Sequence, residues 1–277
     1  MAQIAVRTLR GVAVIYLTVL LLLLYLENLL LYPAPRYPAG DWDAAWLKHE
    51  DIYFQSQDGT RLHGWWVEHP EPKLVILYSH GNGTQVADLP ELMELLRDEY
   101  QASVFAYDYR GYGRSDGKPF EVGILQDGEA AQAWLSKRAA VPPEEIVLMG
   151  RSLGGGVAVD LAAKKGARGL ILQNTFSSLP DAAAHLYPWA PVRWLMRNRY
   201  DSISKIKNYQ GPVFQSHGTR DTLVPFQLSR KLFEQVSGQK EFFEVPGGNH
   251  NSAEPPEYYQ ALGKFLSSLP AHGSRSQ

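Results

Sequence analysis

Between residues 73 and 245 the chain alternates short apolar runs with longer segments of helical period, and that rhythm admits few folds. Residues 73–79 carry Leu74-Val75-Ile76-Leu77-Tyr78, and comparable runs occupy 103–107, 146–149, 169–172 and 213–216, with a more mixed one at 241–245. A strand that is apolar at every position is covered on both faces, as in a parallel sheet, whereas a half-solvated strand alternates. The segments 89–97, 125–138, 153–165, 227–236 and 256–266 read as helices. Such alternation predicts an α/β domain, a mostly parallel sheet with helices on both faces. Upstream, 52–57 and 62–67 read as strands joined through Asp58-Gly59, a hairpin signal. A chain of 277 residues, 45% apolar and 20% charged, is large enough to bury the core of one such domain.

The N-terminus obeys different physics. Arg7 and Arg10 precede a stretch without charge from Gly11 to Leu26, and apolar character resumes through Leu29 to Tyr32. At ~1.5 Å per residue, residues 11–32 can cross a hydrocarbon core of ~30 Å. Glu27 lies near the far end of that span, where it can reach the interface, and Tyr25 and Tyr32 suit the same layer. The expected organisation is a membrane anchor over 1–32 and the α/β domain over 33–277, with residues 32–41, rich in proline, as the exit linker. A cleaved signal peptide and a buried core helix are the competing readings; the length of the run disfavours the first and its lack of a polar face the second. Arg7 and Arg10 place the N-terminus in the cytoplasm and the domain on the extracytoplasmic side, although Arg36 and Lys48 weaken that asymmetry.

Composition removes several functions. A net charge of −2 with interspersed signs offers no basic stripe for nucleic acid. The absence of cysteine excludes disulfides, thiol catalysis and Cys-based zinc sites. No His/Asp cluster has metal-ligand spacing, so no metal is expected. Oligomeric state has no signature here.

The chemistry concentrates at three places. Gly150-Arg151-Ser152-Leu153-Gly154 has the G-x-S-x-G form, entered from an apolar strand and left by a helical segment. That context sets a serine on a sharp strand-to-helix turn with its hydroxyl above the sheet. A serine nucleophile needs a base and a group that fixes the base's tautomer, and on such sheets the chain order is Ser, then Asp or Glu, then His. Asp221 and His250 follow in that order, each just past a strand. Asp201 is the rival acid; His185, His217 and His272 fit the base less well, His217 because it precedes its loop. An oxyanion requires backbone N–H donors, assigned to Leu153 and to Asn82 in the loop His80-Gly81-Asn82-Gly83. Residues 177–209 are too long for a plain connection and rich in aromatics, which predicts a small helical lid with Tyr187, Trp189 and Trp194 contacting substrate. A surface helix pair held by its own aromatics is the alternative.

Together these residues resemble the α/β-hydrolase superfamily, and within it the membrane-anchored alpha/beta hydrolase domain-containing proteins of the serine aminopeptidase-like branch. The resemblance covers about residues 52–266. It rests on His80-Gly81-Asn82-Gly83, Tyr107-Asp108-Tyr109-Arg110-Gly111-Tyr112-Gly113-Arg114-Ser115, the turn at Ser152, Asn174-Thr175-Phe176, Asp221 and Gly248-Asn249-His250-Asn251. It implies an α/β-hydrolase fold and hydrolysis of an ester, thioester or amide without a cofactor, on a small-molecule or acylated substrate. Some proteins of this layout cleave fatty thioesters from proteins. It also implies that Asp108 belongs to the scaffold. A peptidase on the same residues, and a non-catalytic membrane-anchored binding protein on the same fold, are the alternatives.

Overall fold

A computed structural model describes residues 1–270; residues 271–277, and His272 with them, lie outside the described residues. Eight strands form one sheet: β1 (Glu50–Gln55), β2 (Arg61–Val67), β3 (Leu74–Ser79), β4 (Ala102–Asp108), β5 (Val147–Arg151), β6 (Gly169–Gln173), β7 (Val213–Gly218) and β8 (Lys240–Val245). Their order is β1-β2-β4-β3-β5-β6-β7-β8. The β1–β2 and β2–β4 pairs are antiparallel, and the remaining pairs are parallel. The helices are α1 (Ala2–Tyr25), α2 (Glu27–Leu31), α3 (Pro90–Tyr100), α4 (Glu121–Ala139), α5 (Leu153–Lys165), α6 (Leu179–Leu186), α7 (Val192–Leu195), α8 (Ser202–Lys205), α9 (Phe226–Glu234) and α10 (Pro256–Ser268).

Every residue of β3 and β4 is buried, as their unbroken apolar character requires. Alternate residues supply opposite faces. Ile76, Val104 and Met149 meet Met93 and Leu96 of α3 and Leu262 and Phe265 of α10 on one side. Leu77, Phe105 and Leu148 meet Leu135 of α4, Val157 and Leu161 of α5 and Leu232 of α9 on the other. The sheet is thus covered on both faces. β1 is an edge strand whose inward positions alternate with exposed ones.

The strand order fixes where a ligand can go. The chain passes from β3 outward to β4, then returns across β3 to β5 and continues in the opposite direction. The reversal opens a crevice at the carboxyl ends of β3 and β5, the usual ligand position on such sheets. Ser79 pairs with Gly150 there, so the loop after Ser79 and the turn after Arg151 are adjacent.

The end of the N-terminal segment and the expected exit linker are packed onto the domain. Among the described residues α1 is long and apolar enough to cross a membrane, and nearly all of it is exposed. Glu27, however, is buried and does not reach solvent: its carboxylate accepts the backbone N–H groups of Arg197 and Asn198 and the Asn198 amide. Tyr32 joins the main core and donates its hydroxyl to Asn198 Oδ1 at 2.7 Å. The proline-rich stretch is pinned as well. Arg36 donates to the carbonyls of Gly111 and Gly117, and Trp42 and Leu47 enter the core on the α3 side. Partners this remote in the chain leave no local pattern to read.

The segment 177–209 also divides. Tyr200, Ile206 and Tyr209 are buried in the main core, and Lys205 pairs with Asp160 of α5 at 2.7 Å. Only the part carrying α6 and α7 stands on the surface.

Asp127 is fully buried and accepts the backbone N–H and the guanidinium of Arg110, which also reaches Asp58. Asp127→Ala leaves that cation short of its buried partner. It should lower unfolding free energy by about 3 kcal/mol in urea titration; a loss below about 1 kcal/mol, typical of an exposed pair, would show that Asp58 alone suffices.

Candidate active site

β5 ends at Arg151, and the chain turns at Ser152 with φ 51° and ψ −115° before α5 begins. A non-glycine residue with positive φ is strained by about 1–3 kcal/mol and persists only where its surroundings hold it. They do so here through the backbone. Ser152 N–H donates to Gln173 O at 2.8 Å, and Ser152 O accepts from Thr175 Oγ1 at 2.8 Å. The flanking glycines are required by space. A Cβ on Gly150 would overlap the Gly154 backbone, and one on Gly154 would overlap the Ser79 carbonyl.

The loop after β8 brings His250 to this turn. Its Nε2 lies 3.0 Å from Ser152 Oγ, and its Nδ1 lies 2.7 Å from Asp221 Oδ2, past the end of β7. An ionised carboxylate only accepts, so Nδ1 carries the proton and Nε2 is free to accept from the serine hydroxyl. All three side chains are buried. The rival acid, Asp201, sits at the start of α8 and accepts from Ser204 Oγ at 2.6 Å.

Asp221 is heavily engaged. Oδ1 accepts the N–H groups of Leu223 and Val224 at 2.9 and 2.8 Å. His217 Nε2 approaches Oδ2 at 3.1 Å and the Val224 carbonyl at 2.9 Å. Since a carbonyl cannot donate, His217 carries its proton on Nε2 and shares it between both oxygens. Burial alone would raise the Asp221 carboxyl, but donation from His217, His250 and the Val224 N–H outweighs it and holds the group well below the usual carboxylate range.

Two further side chains position the His250 loop. Arg151 Nη2 and Asn174 Nδ2 both donate to the His250 carbonyl, at 2.7 and 2.9 Å. Asn174 Oδ1 accepts from Gly218 N–H, so one amide ties the ends of β6 and β7 to the histidine loop. Sequence reasoning assigned no role to Asn174, Arg151 or His217. The readable signal was their place within or beside the quoted motifs: Arg151 abuts the serine, and His217 precedes Asp221 by one helical turn's spacing at the end of a strand.

The loop 80–83 flanks the turn. A Cβ on Gly81 would lie 3.8 Å from the Ser152 Cβ, in ordinary contact. Tyr109 donates to the His80 carbonyl and Tyr112 to Asn82 Oδ1, both from the tyrosine-rich block after β4. Burial lowers the His80 imidazole, which stays neutral and donates from Nδ1 to Gly81 O. The Asn82 amide donates to the Leu31 carbonyl, so its side chain is a structural tie. Leu153 opens α5, where the first N–H groups have no partner within the helix. Asp108 is wholly buried and holds Val86 N–H and His63, a scaffold position. The expected substrate-contacting aromatics face outward instead: Tyr187 and Trp189 are each 51% exposed and Trp194 87%. Their insert folds as short helices whose apolar side chains are left on the surface, with Trp189 beside Tyr16 of α1.

Comparison with known proteins agrees with this architecture. The serine aminopeptidase S33 family profile matches residues 70–204, a stretch that takes in loop 80–83 and Ser152 and ends before Asp221 and His250. An uncharacterized protein of Mycobacterium tuberculosis is 38% identical over 206 residues, covering 74% of this chain and 73% of its own. The alpha/beta hydrolase domain-containing protein WAV2 of Arabidopsis thaliana is 33% identical over 224 residues, covering 74% and 73% respectively. Among solved structures, the Pyrococcus furiosus esterase Pf2001 superposes with a TM-score of 0.71 at 21% identity, over 85% of this chain and 96% of that one. Fold and relatives agree, and the chain belongs to the alpha/beta hydrolase domain-containing proteins.

Proposed function

We propose that the protein is a serine hydrolase that cleaves carboxylic esters or thioesters through an acyl-enzyme. The observation that carries this reading is the continuous hydrogen-bonded line from Ser152 Oγ through His250 to Asp221, built on a positive-φ turn. Ser152 Oγ attacks the carbonyl carbon while its proton passes to His250 Nε2. Asp221 stabilises the imidazolium and keeps its orientation. The tetrahedral oxygen takes the N–H groups of Leu153 and Asn82. Collapse breaks the bond to the alcohol or thiol, which leaves with the proton from Nε2, and water repeats the sequence to free the acid.

The same machinery can cleave amides, and the name of the family profile favours a peptidase as the second reading. Oxygen ester, thioester and anilide of one acyl group separate the two: the proposal requires ester and thioester to have by far the higher kcat/KM. A membrane-anchored protein that only binds is the third. We also propose that α1 is retained as an anchor, with Arg7 and Arg10 on the cytoplasmic side. The burial of Glu27 and Tyr32 against the domain supports retention over cleavage.

Ser152→Ala should abolish labelling by a fluorophosphonate probe without changing the melting temperature by more than a few degrees; undiminished labelling would remove Ser152 from the mechanism and return the binding-protein reading. Asp221→Asn should lower kcat by a factor on the order of 10⁴, because the amide favours the wrong imidazole tautomer. Asp201→Asn should stay close to wild type; if it proves the worse of the two, the acid is misassigned. The pH dependence of stability checks the same carboxylate. Held below its unfolded value, Asp221 stabilises the fold above the unfolded carboxyl range, and that contribution is lost as pH falls through the folded value. The stability difference between wild type and Asp221→Asn should be flat from about pH 5 to 8 and shift toward the variant below about pH 4. A difference independent of pH down to about 3 would mean that Asp221 is not held ionised by its neighbours.

A further inference from the structure

The insert between β6 and β7 leans on α1 well before that helix ends. Tyr16 donates its hydroxyl to the Trp189 carbonyl at 3.0 Å, and the two rings meet edge to face at 6.4 Å. Further along, Arg197 Nη2 donates to the Leu24 carbonyl at 2.8 Å. Tyr16 and Leu24 are about 12 Å apart along a helix. The insert therefore runs beside the C-terminal third of α1.

That placement has a geometric consequence. The 24 residues of α1 extend about 36 Å, little more than a hydrocarbon core. If the helix crosses a bilayer, the stretch from Tyr16 to Leu24 belongs to the leaflet on the domain's side. Whatever touches Tyr16 then lies within that leaflet. The segment from Ala2 to Ile15 alone, about 21 Å, would be too short to span. The insert's surface has the matching chemistry: Leu186, Tyr187, Trp189, Trp194 and Leu195 are exposed together on α6, α7 and the turn between them. Tryptophan and tyrosine favour the boundary between acyl chains and headgroups. Arg193, beside Trp194, pairs its Nε with Asp181 at 2.7 Å yet stays largely exposed, so a long-stemmed cation borders the apolar patch. At the other end, the Leu31 carbonyl is held by Asn82, so the helix exit lies against the loop beside Ser152.

We propose that the surface formed by α6, α7 and their turn is a second membrane contact, embedded in the leaflet beside α1, and that Ser152 receives its substrate from that leaflet. The partner is a lipid bilayer, and the substrate class is an acyl ester or thioester resident in it. The contact itself is independent of catalysis; only the choice of substrate rests on the proposed hydrolase reading.

The chain has no cysteine, so single cysteines can be labelled without background. Full-length Trp189→Cys, Trp194→Cys and Lys137→Cys, each carrying an environment-sensitive fluorophore, are reconstituted in phosphatidylcholine–phosphatidylglycerol vesicles. Lys137 is exposed near the end of α4, before the amino end of β5. Cooperative thermal unfolding, followed by circular dichroism, confirms that each variant is folded. The proposal requires positions 189 and 194 to be quenched several-fold more by doxyl-labelled lipid than by aqueous iodide, and position 137 the reverse. The same pattern is required in a Ser152→Ala background. If positions 189 and 194 respond like 137, the membrane contact is wrong. For the substrate, wild-type protein in the same vesicles is given a long-chain acyl ester dissolved in the bilayer and a water-soluble acetyl ester. Hydrolysis of the bilayer ester supports delivery from the leaflet. Hydrolysis of the acetyl ester alone overturns delivery and leaves the hydrolase reading standing; hydrolysis of neither, in protein that the quenching shows to be seated, overturns the hydrolase reading instead.

Discussion

Ser152 occupies a backbone conformation that residues with a side chain avoid, and much of the fold serves to hold it there. Positive φ at the end of β5 aims the hydroxyl away from the sheet and lets α5 start at once. The turn stays closed because β6 meets it on one side, through Gln173 and Thr175, and β3 meets it on the other, at Ser79 and Gly81. Those neighbours exist only because the strand order reverses between β3 and β5. A change of winding direction, set by the sequence of apolar runs, thus determines where the Ser152 hydroxyl can stand.

The same economy governs the groups around it. Parallel strands end at one edge of the sheet, so the loops after β5, β7 and β8 converge without long excursions. Asn174 fixes their spacing with one amide, and Arg151 adds a second donor to the His250 carbonyl. Asp221 has its negative charge compensated by two backbone N–H groups and two imidazoles instead of by water. On the proposed mechanism, an environment fixed in this way needs little reorganisation as charge develops on His250.

The legible parts of this structure were those with a local or ordered signature. Buried strands such as 74–79 show as unbroken apolar runs, and the serine turn shows as a motif because Gly150 and Gly154 have no alternative in the space available. Chain order and strand ends narrow the choice of partners for Ser152 to Asp221 and His250, which the structure brings together. What stayed hidden depends on partners far apart in the chain. Glu27 reads as an interfacial acid until Arg197 and Asn198, some 170 positions later, offer it their N–H groups. Residues 32–41 read as a linker, although Tyr32 joins the core, Ala34 packs against it, and Trp42 enters the core on the other face. His217 fits poorly as a base by its place in the chain, yet as the buried imidazole of β7 it lies 3.1 Å from Asp221 Oδ2. Composition alone does not tell which way the insert's aromatics face; the structure leaves Tyr187, Trp189 and Trp194 at the surface.

These features describe a domain whose reactive edge and N-terminal helix are built together, joined through Asn82, Leu31 and Tyr32. The central claim remains chemical: acyl transfer passes through Ser152. It is tested most directly by quenching the wild-type protein with acid during turnover of a slowly deacylated ester and mapping its peptides by mass spectrometry. The account predicts the mass of the acyl group on Ser152, appearing within the first turnover and disappearing when substrate is exhausted. Turnover with no acyl adduct at any time, or with the adduct on another residue, would contradict it.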